Sequence, residues 1–121
     1  MIVVPTYSDK SQIHGTGLFA AKSIKKGDVV WRFDPMTDIR LPKFIVDSWA
    51  KKSREHVEHF CVLVEGNYIY SLDNSIYVNH SDSPNIGPFS SYDDIIALRD
   101  ISPDEEITTK YFEFEGSKKK P

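Results

Sequence analysis

Three stretches of this chain carry more polar and glycine content than the strand-like residues around them explain: HGTGLFA (14–20), YVNHSDSPN (77–85) and DEEITTKYFEF (104–114). In the second, the β-branched and aromatic run IYV leads directly into Asn79 and His80. An amide and an imidazole thus stand where a buried strand would continue with apolar residues. An amide offers donors and an acceptor together. The pair could be satisfied inside the core, as most buried polar groups are. In the first stretch Gly15 and Gly17 bracket Thr16, which serves a turn or lets a ligand approach the backbone closely. It is not the longer glycine pattern of a dinucleotide or phosphate loop. In the third, the acids Asp104, Glu105 and Glu106 precede the alternation Ile107, Thr109, Tyr111, by itself a charged turn before a strand that ends on an aromatic.

Metal chemistry is not expected from these residues. His14, His56, His59 and His80 are scattered, and the i, i+3 pair His56/His59 reads as a solvated helix face. Cys61 is the single cysteine, which excludes an internal disulfide and a multi-cysteine zinc site. At 121 residues, with 40% hydrophobic and 27% charged residues, the chain reads as one globular domain that can bury a core without staples. Lys and Arg number 15 against 18 Asp and Glu, a net charge of −3, so the basic excess that nucleic-acid binding needs is lacking. The opening MIVVPTYSDK has neither a basic start nor a long apolar run. That argues against a signal peptide or membrane span and for a soluble intracellular protein.

The elements that must position the three stretches are mostly strands. GLFAAKSIKKGDVVWRF reads as strand, Lys-Gly turn, strand, a hairpin-like start with Gly27 free to take positive φ. From about 42 to 64 the period changes: Ile45, Trp49, Val57, Phe60, Cys61 and Val64 recur at three and four, and Pro42 suits a first helical turn. This predicts a helical insert between two β regions. NYIYSLDNSIYVNH and IIALRDI return to strand composition around the turn-rich SDSPNIGPFSSYDD. Laid on itself with an offset of 77, the chain aligns AAKSIKKGDVV with ALRDISPDEEI, matching Lys22 with Arg99 and Ile24 with Ile101. The match is built from common strand-turn-strand vocabulary, but it suggests that both ends contribute to one unit of several small sheets.

In this order and spacing the three segments resemble the SET domain, the family of S-adenosylmethionine-dependent protein lysine methyltransferases. GTGLFA is similar to that family's glycine-x-glycine motif. YVNHSDSPN is similar to its asparagine-histidine-serine-x-x-proline-asparagine motif, and EEITTKY to its glutamate-aliphatic-threonine-x-x-tyrosine motif. With SIKKGDVV and ALRDISPDEEIT the likeness runs from about residue 12 to residue 112. It implies a mainly β, β-clip-like SET fold of small curved sheets, with the helical insert and a C-terminal segment threaded beneath a loop. Residues 1–116 would form the domain and 117–121 a mobile basic tail.

The resemblance also implies site roles. The backbone of His14, Gly15, Thr16 and Gly17 would wrap the methionine part of the cofactor, and Asn79 and His80 would hold its amino-acid portion and adenine. Asn85 would either touch the ligand or cap a turn beside Pro84. Tyr111 would be the catalytic tyrosine, Tyr68 would line the lysine channel or form a cross-strand pair, and Phe112 or Phe114 would cover the cofactor. Asp82 stands where the motif often has cysteine, no cysteine-rich zinc segment flanks the motifs, and Thr109 occupies a position where many members carry phenylalanine or tyrosine. These departures point to the compact stand-alone form and leave the number of methyl groups added open. The expected partner is a lysine-bearing protein or peptide, with no membrane and with a homodimer as one option. A SET-like peptide-binding module without transfer activity is the alternative.

Overall fold

The computed structural model describes residues 1–89 and 93–110. The fold is mainly β, with about 40% of it in strands, gathered in three small sheets. The first combines β1 (Thr6–Lys10), β2 (Thr16–Ala20), β10 (Glu106–Thr109) and β7 (Asn79–His80), in the order β1-β2-β10-β7. The second is β3 (Val29–Arg32), β9 (Asp94–Ala97) and β8 (Ile86–Pro88); the third is β4 (Asp38–Pro42), β6 (Asn67–Ser71) and β5 (Val62–Val64). Two helices, α1 (Lys43–Val46) and α2 (Lys51–Phe60), connect β4 to β5. Among the described residues, no helix is long and apolar enough to cross a membrane.

The helical insert is shorter than the periodicity predicts. α2 stops at Phe60, and Val62–Val64 pairs with β6 as a strand. The cause is the Glu65-Gly66 dipeptide, whose φ angles of 52° and 77° supply the two left-handed residues of a tight hairpin turn. A run with β-branched Val62 and Val64 feeding such a turn is better satisfied by a ladder than by another helical turn. The break at Ser48–Ala50 also shifts the phase of the apolar stripe: Val46 is buried, whereas Ile45 is exposed. Val46, Val57, Cys61, Leu63 and Tyr68 then form a second core beneath the helices.

The Lys-Gly turn forms as the sequence predicts, closed by the Asp28 N–H donating to the Lys25 carbonyl at 2.9 Å, with Gly27 at φ 90°. Its flanking strands, however, do not pair with each other. β2 pairs with β10 and β3 with β9, so two strand-turn-strand units are interlocked and the simple hairpin is not made. The offset of 77 describes how they interlock. Ile24 and Ile101 exchange both backbone hydrogen bonds, at 2.9 and 2.8 Å. Gly27 N–H donates to Ala97 O at 2.8 Å, and the shifted equivalent, Asp104 N–H to Ala20 O, is 2.7 Å. The Asp28 carboxylate accepts from Lys25 N–H and the Glu105 carboxylate from Ser102 N–H, at 3.1 and 3.0 Å. Asp104, the counterpart of Gly27, takes the same left-handed conformation at φ 68°. A short acidic side chain is among the few non-glycine residues that tolerate it.

The main core follows the same relation. Leu18, Ala20, Ile24 and Val30 pack with Ile95, Ala97, Ile101 and Ile107, four pairs separated by the same 77 positions. A local two-fold arrangement lets one set of apolar side chains bury its own counterpart, so neither unit has a core alone. Ile24→Ala and Ile101→Ala are each expected to cost about 2–5 kcal/mol in urea unfolding. The double variant should cost less than the sum, because the two positions share one contact.

Candidate functional site

β10 is the strand that assembles the site. It runs antiparallel to β2 on one side, with Glu106 opposite Phe19 and Ile107 opposite Leu18. On the other side it runs parallel to β7, with Thr108 opposite Asn79 and Thr109 opposite His80. The three polar stretches, separated by tens of residues in sequence, therefore occupy adjacent strands. Parallel pairing of a two-residue strand is weak on its own; side-chain hydrogen bonds supplement it.

Asn79, buried at 5% exposure, directs its amide NH2 at several acceptors: His14 O at 2.9 Å, Glu106 Oε2 at 2.9 Å, Ser11 Oγ at 3.1 Å and Thr16 O at 3.5 Å. Two hydrogens thus serve four acceptors, which ties the glycine loop to β7 and β10 at once. Ser11 completes the cluster. Its hydroxyl donates to the Glu106 carboxylate, 2.8 Å from Oε1 and 2.9 Å from Oε2, and accepts from the N–H groups of Ile13 at 2.9 Å and His14 at 3.3 Å. Gly17 is required by this arrangement, because a Cβ there would lie 2.5 Å from Glu106 Oε2. Gly15 differs: at φ 46°, with no atom within 4 Å of where a Cβ would be, it makes the turn and leaves its flank open. The backbone N–H of Ser11 closes that turn on Gly15 O at 2.8 Å.

Asn85 is neither a turn cap nor an exposed ligand group. At 1% exposure its side chain clamps β10, donating to Glu106 O at 2.8 Å and to Glu105 Oε2 at 3.1 Å, and accepting from Thr108 N–H at 2.8 Å. It thereby satisfies backbone groups of β10. His80 is also buried, opposite Thr109, with its Nε2 3.1 Å from Asp82 Oδ1. Thr109 lies at the wall of an apolar cavity of about 110 Å³ among the sheets, which is also lined by Ile69, Val78, Ile86 and Ile95.

Tyr68 is buried at 2% exposure in the core under the helices, opposite Leu41 and Leu63 in its sheet. Neighbouring residues of a strand face opposite sides, so Tyr68 points away from the cavity that Ile69 lines. Burial, followed by the Glu58 carboxylate, pushes its phenol above the ordinary tyrosine value. Its cross-strand partners are aliphatic, unlike the aromatic pair the sequence suggested. Tyr111, Phe112 and Phe114, together with any threading of the C-terminal segment, lie outside the described residues. His14, Gly15 and Thr16 are exposed on the loop, with Gly17 buried below them.

Two members of the cluster were not assigned to the site from the sequence. Glu106 is marked as the glutamate of the third motif, but the sequence assigns it no role in the site. Ser11 lay ahead of the motif, and its one signal was its position four residues before Gly15, where a hydroxyl can bond the following N–H groups.

These features define a small domain of curved sheets in which an Asn-His strand and a threonine-bearing strand grip a glycine turn. A family model described as SET domain matches residues 15–112, and the chain belongs to the SET-domain family. The fold is similar to that of a candidate histone methyltransferase from Plasmodium falciparum, at TM-score 0.63 and 23% identity over 91% of this chain and 95% of that one. It is also similar to part of Polycomb Repressive Complex 2 from Chaetomium thermophilum, in a humanized mutant bound to the inhibitor GSK126. There the TM-score is 0.68 and the identity 26%, over 93% of this chain but 16% of that one. No curated protein sequence matches the chain.

Gly17→Ala is expected to destabilise the fold by about 1–3 kcal/mol through overpacking. The loss should shrink when Glu106→Ala removes the colliding carboxylate, which a double-mutant cycle in urea measures. Asn85→Ala, which strips partners from two buried backbone groups of β10, should cost about 2–4 kcal/mol in the same assay.

Proposed function

We propose that this protein transfers methyl groups from S-adenosylmethionine to the side-chain amine of lysine in a protein substrate. The observation that carries the reading is the parallel register of β7 and β10, with Asn79 reaching across to the glycine turn. It gathers the three segments that the family uses for this chemistry. The residues present fit the cofactor. The open flank of Gly15 gives a bulky ligand access to the backbone, and loop carbonyls and the His80 region offer acceptors to an ammonium group and a nucleoside. The sulfonium supplies a methyl group already activated for displacement.

The chain's own task is then placement. The His14–Gly17 backbone, Asn79 and His80 would hold the donor, and Phe112 or Phe114 would cover it. β10 ends at Thr109, and the proposed catalytic tyrosine, Tyr111, follows two residues later in the sequence. Holding nitrogen, carbon and sulfur in line in a narrow apolar channel supplies much of the acceleration. The Tyr111 hydroxyl would orient the incoming amine and offer its oxygen to weak CH···O contacts. A phenol with pKa of about 10 is a poor base at neutral pH. Deprotonation of the lysine therefore falls to desolvation beside the positive sulfonium, with water taking the proton. The apolar cavity at Thr109 supports this reading, since the stem of a lysine is aliphatic and loses its hydration readily.

The test is incubation of the protein with isotopically labelled S-adenosylmethionine and a cell extract, beside Tyr111→Phe. Label on lysine that falls by about two orders of magnitude in the variant is the expected result. Cofactor binding without labelling in any extract would favour a peptide-binding module of the same fold.

A further inference from the structure

We propose that Ser11, which precedes the span matched by the family model, is a positioning residue that sets the affinity of the cofactor loop. The inference rests on the proposed methyl-transfer function. The Ser11 hydroxyl has one proton and two lone pairs, yet five polar atoms lie within hydrogen-bond distance: both Glu106 carboxylate oxygens, the N–H groups of Ile13 and His14, and the Asn79 amide. It is saturated by protein groups and has no capacity left to bind a ligand itself. Its action must pass through the groups it holds.

Those groups are the exposed loop's own N–H groups and two side chains on the strands beneath it. Ile13, His14, Gly15 and Thr16 are exposed, so packing does little to fix them. What fixes them is the Ser11 hydroxyl under two successive N–H groups, the Ser11 N–H on Gly15 O, and Asn79 on the His14 carbonyl. The proton of the hydroxyl is spent on Glu106, whose carboxylate also accepts from Asn79. One oxygen atom therefore couples the loop to both strands that converge on it. Without it, the loop would have to be ordered at the moment the cofactor binds, and that ordering cost weakens affinity while leaving the chemistry of an occupied site intact.

Isothermal titration with S-adenosylmethionine and steady-state kinetics on wild type, Ser11→Ala and Ser11→Thr test this. Ser11→Ala is expected to raise the dissociation constant and the KM for the cofactor by about tenfold, with kcat at saturating cofactor within about twofold of wild type. Ser11→Thr, which keeps the hydroxyl, should restore affinity. A residue that only stabilised the fold would lower the active fraction and kcat, leave KM unchanged and lower the melting temperature; that result, or unchanged affinity in Ser11→Ala, overturns the proposal. Should Ser11→Ala fail to fold, Glu106→Gln tests the same cluster from its other end: raised KM at preserved kcat supports the proposal, and unchanged KM overturns it. If wild type itself binds no cofactor, the proposed function fails first, and the two failures are told apart in the same titration.

Discussion

A half-buried carboxylate held by neutral donors organises this molecule. Glu106 accepts from the Ser11 hydroxyl and the Asn79 amide, and withdrawing a carboxylate from water is costly unless such donors replace the solvent. To keep them, the Ser11 turn must stay against β10, the first buried residue of β2 must be glycine, and β7 must lie alongside β10. The glycine at 17, the serine at 11 and the asparagine at 79 are thus three consequences of seating one acid. The loop that the proposed function needs is shaped by that requirement before any ligand arrives.

The second constraint is the interlocked pair of strand-turn-strand units. Each unit gives its apolar face to the other, and the shared bridge at Ile24 and Ile101 holds them in register. Because β10 belongs to one unit and β2 to the other, the site forms only once the two have docked. Stability of the core and geometry of the loop are then properties of the same contact. The helical insert has its own apolar cluster, and it meets β10 across the cavity that Phe60 and Thr109 both line.

The motifs made the polar stretches legible as a set, and the β-rich class, the insert and the offset of 77 could all be read along the chain. The hairpin at residues 17–33 and the helical span to Val64 were read from local vocabulary and came out differently. Local pattern says that two strands flank a turn; it does not say whether they pair with each other or with a distant copy of the same pattern. Glu65-Gly66 was decisive for β5, yet a non-glycine residue at the first turn position hid the signal that two left-handed residues give more openly when both are glycine or asparagine.

The sequence by itself determined the residue types: an amide-imidazole pair on a strand, glycines where backbone must pass closely, and two apolar units alike enough to bury each other. These follow from covalent chemistry and from periodicity, which are local. Only the tertiary structure decided that Asn79 spends its hydrogens on the loop, that Asn85 serves as a clamp for β10, that Gly17 makes room for Glu106, and that Ser11 belongs to the site. Each of those is a contact between residues more than ten positions apart or a competition for one oxygen, and such competitions are settled by which strands lie side by side.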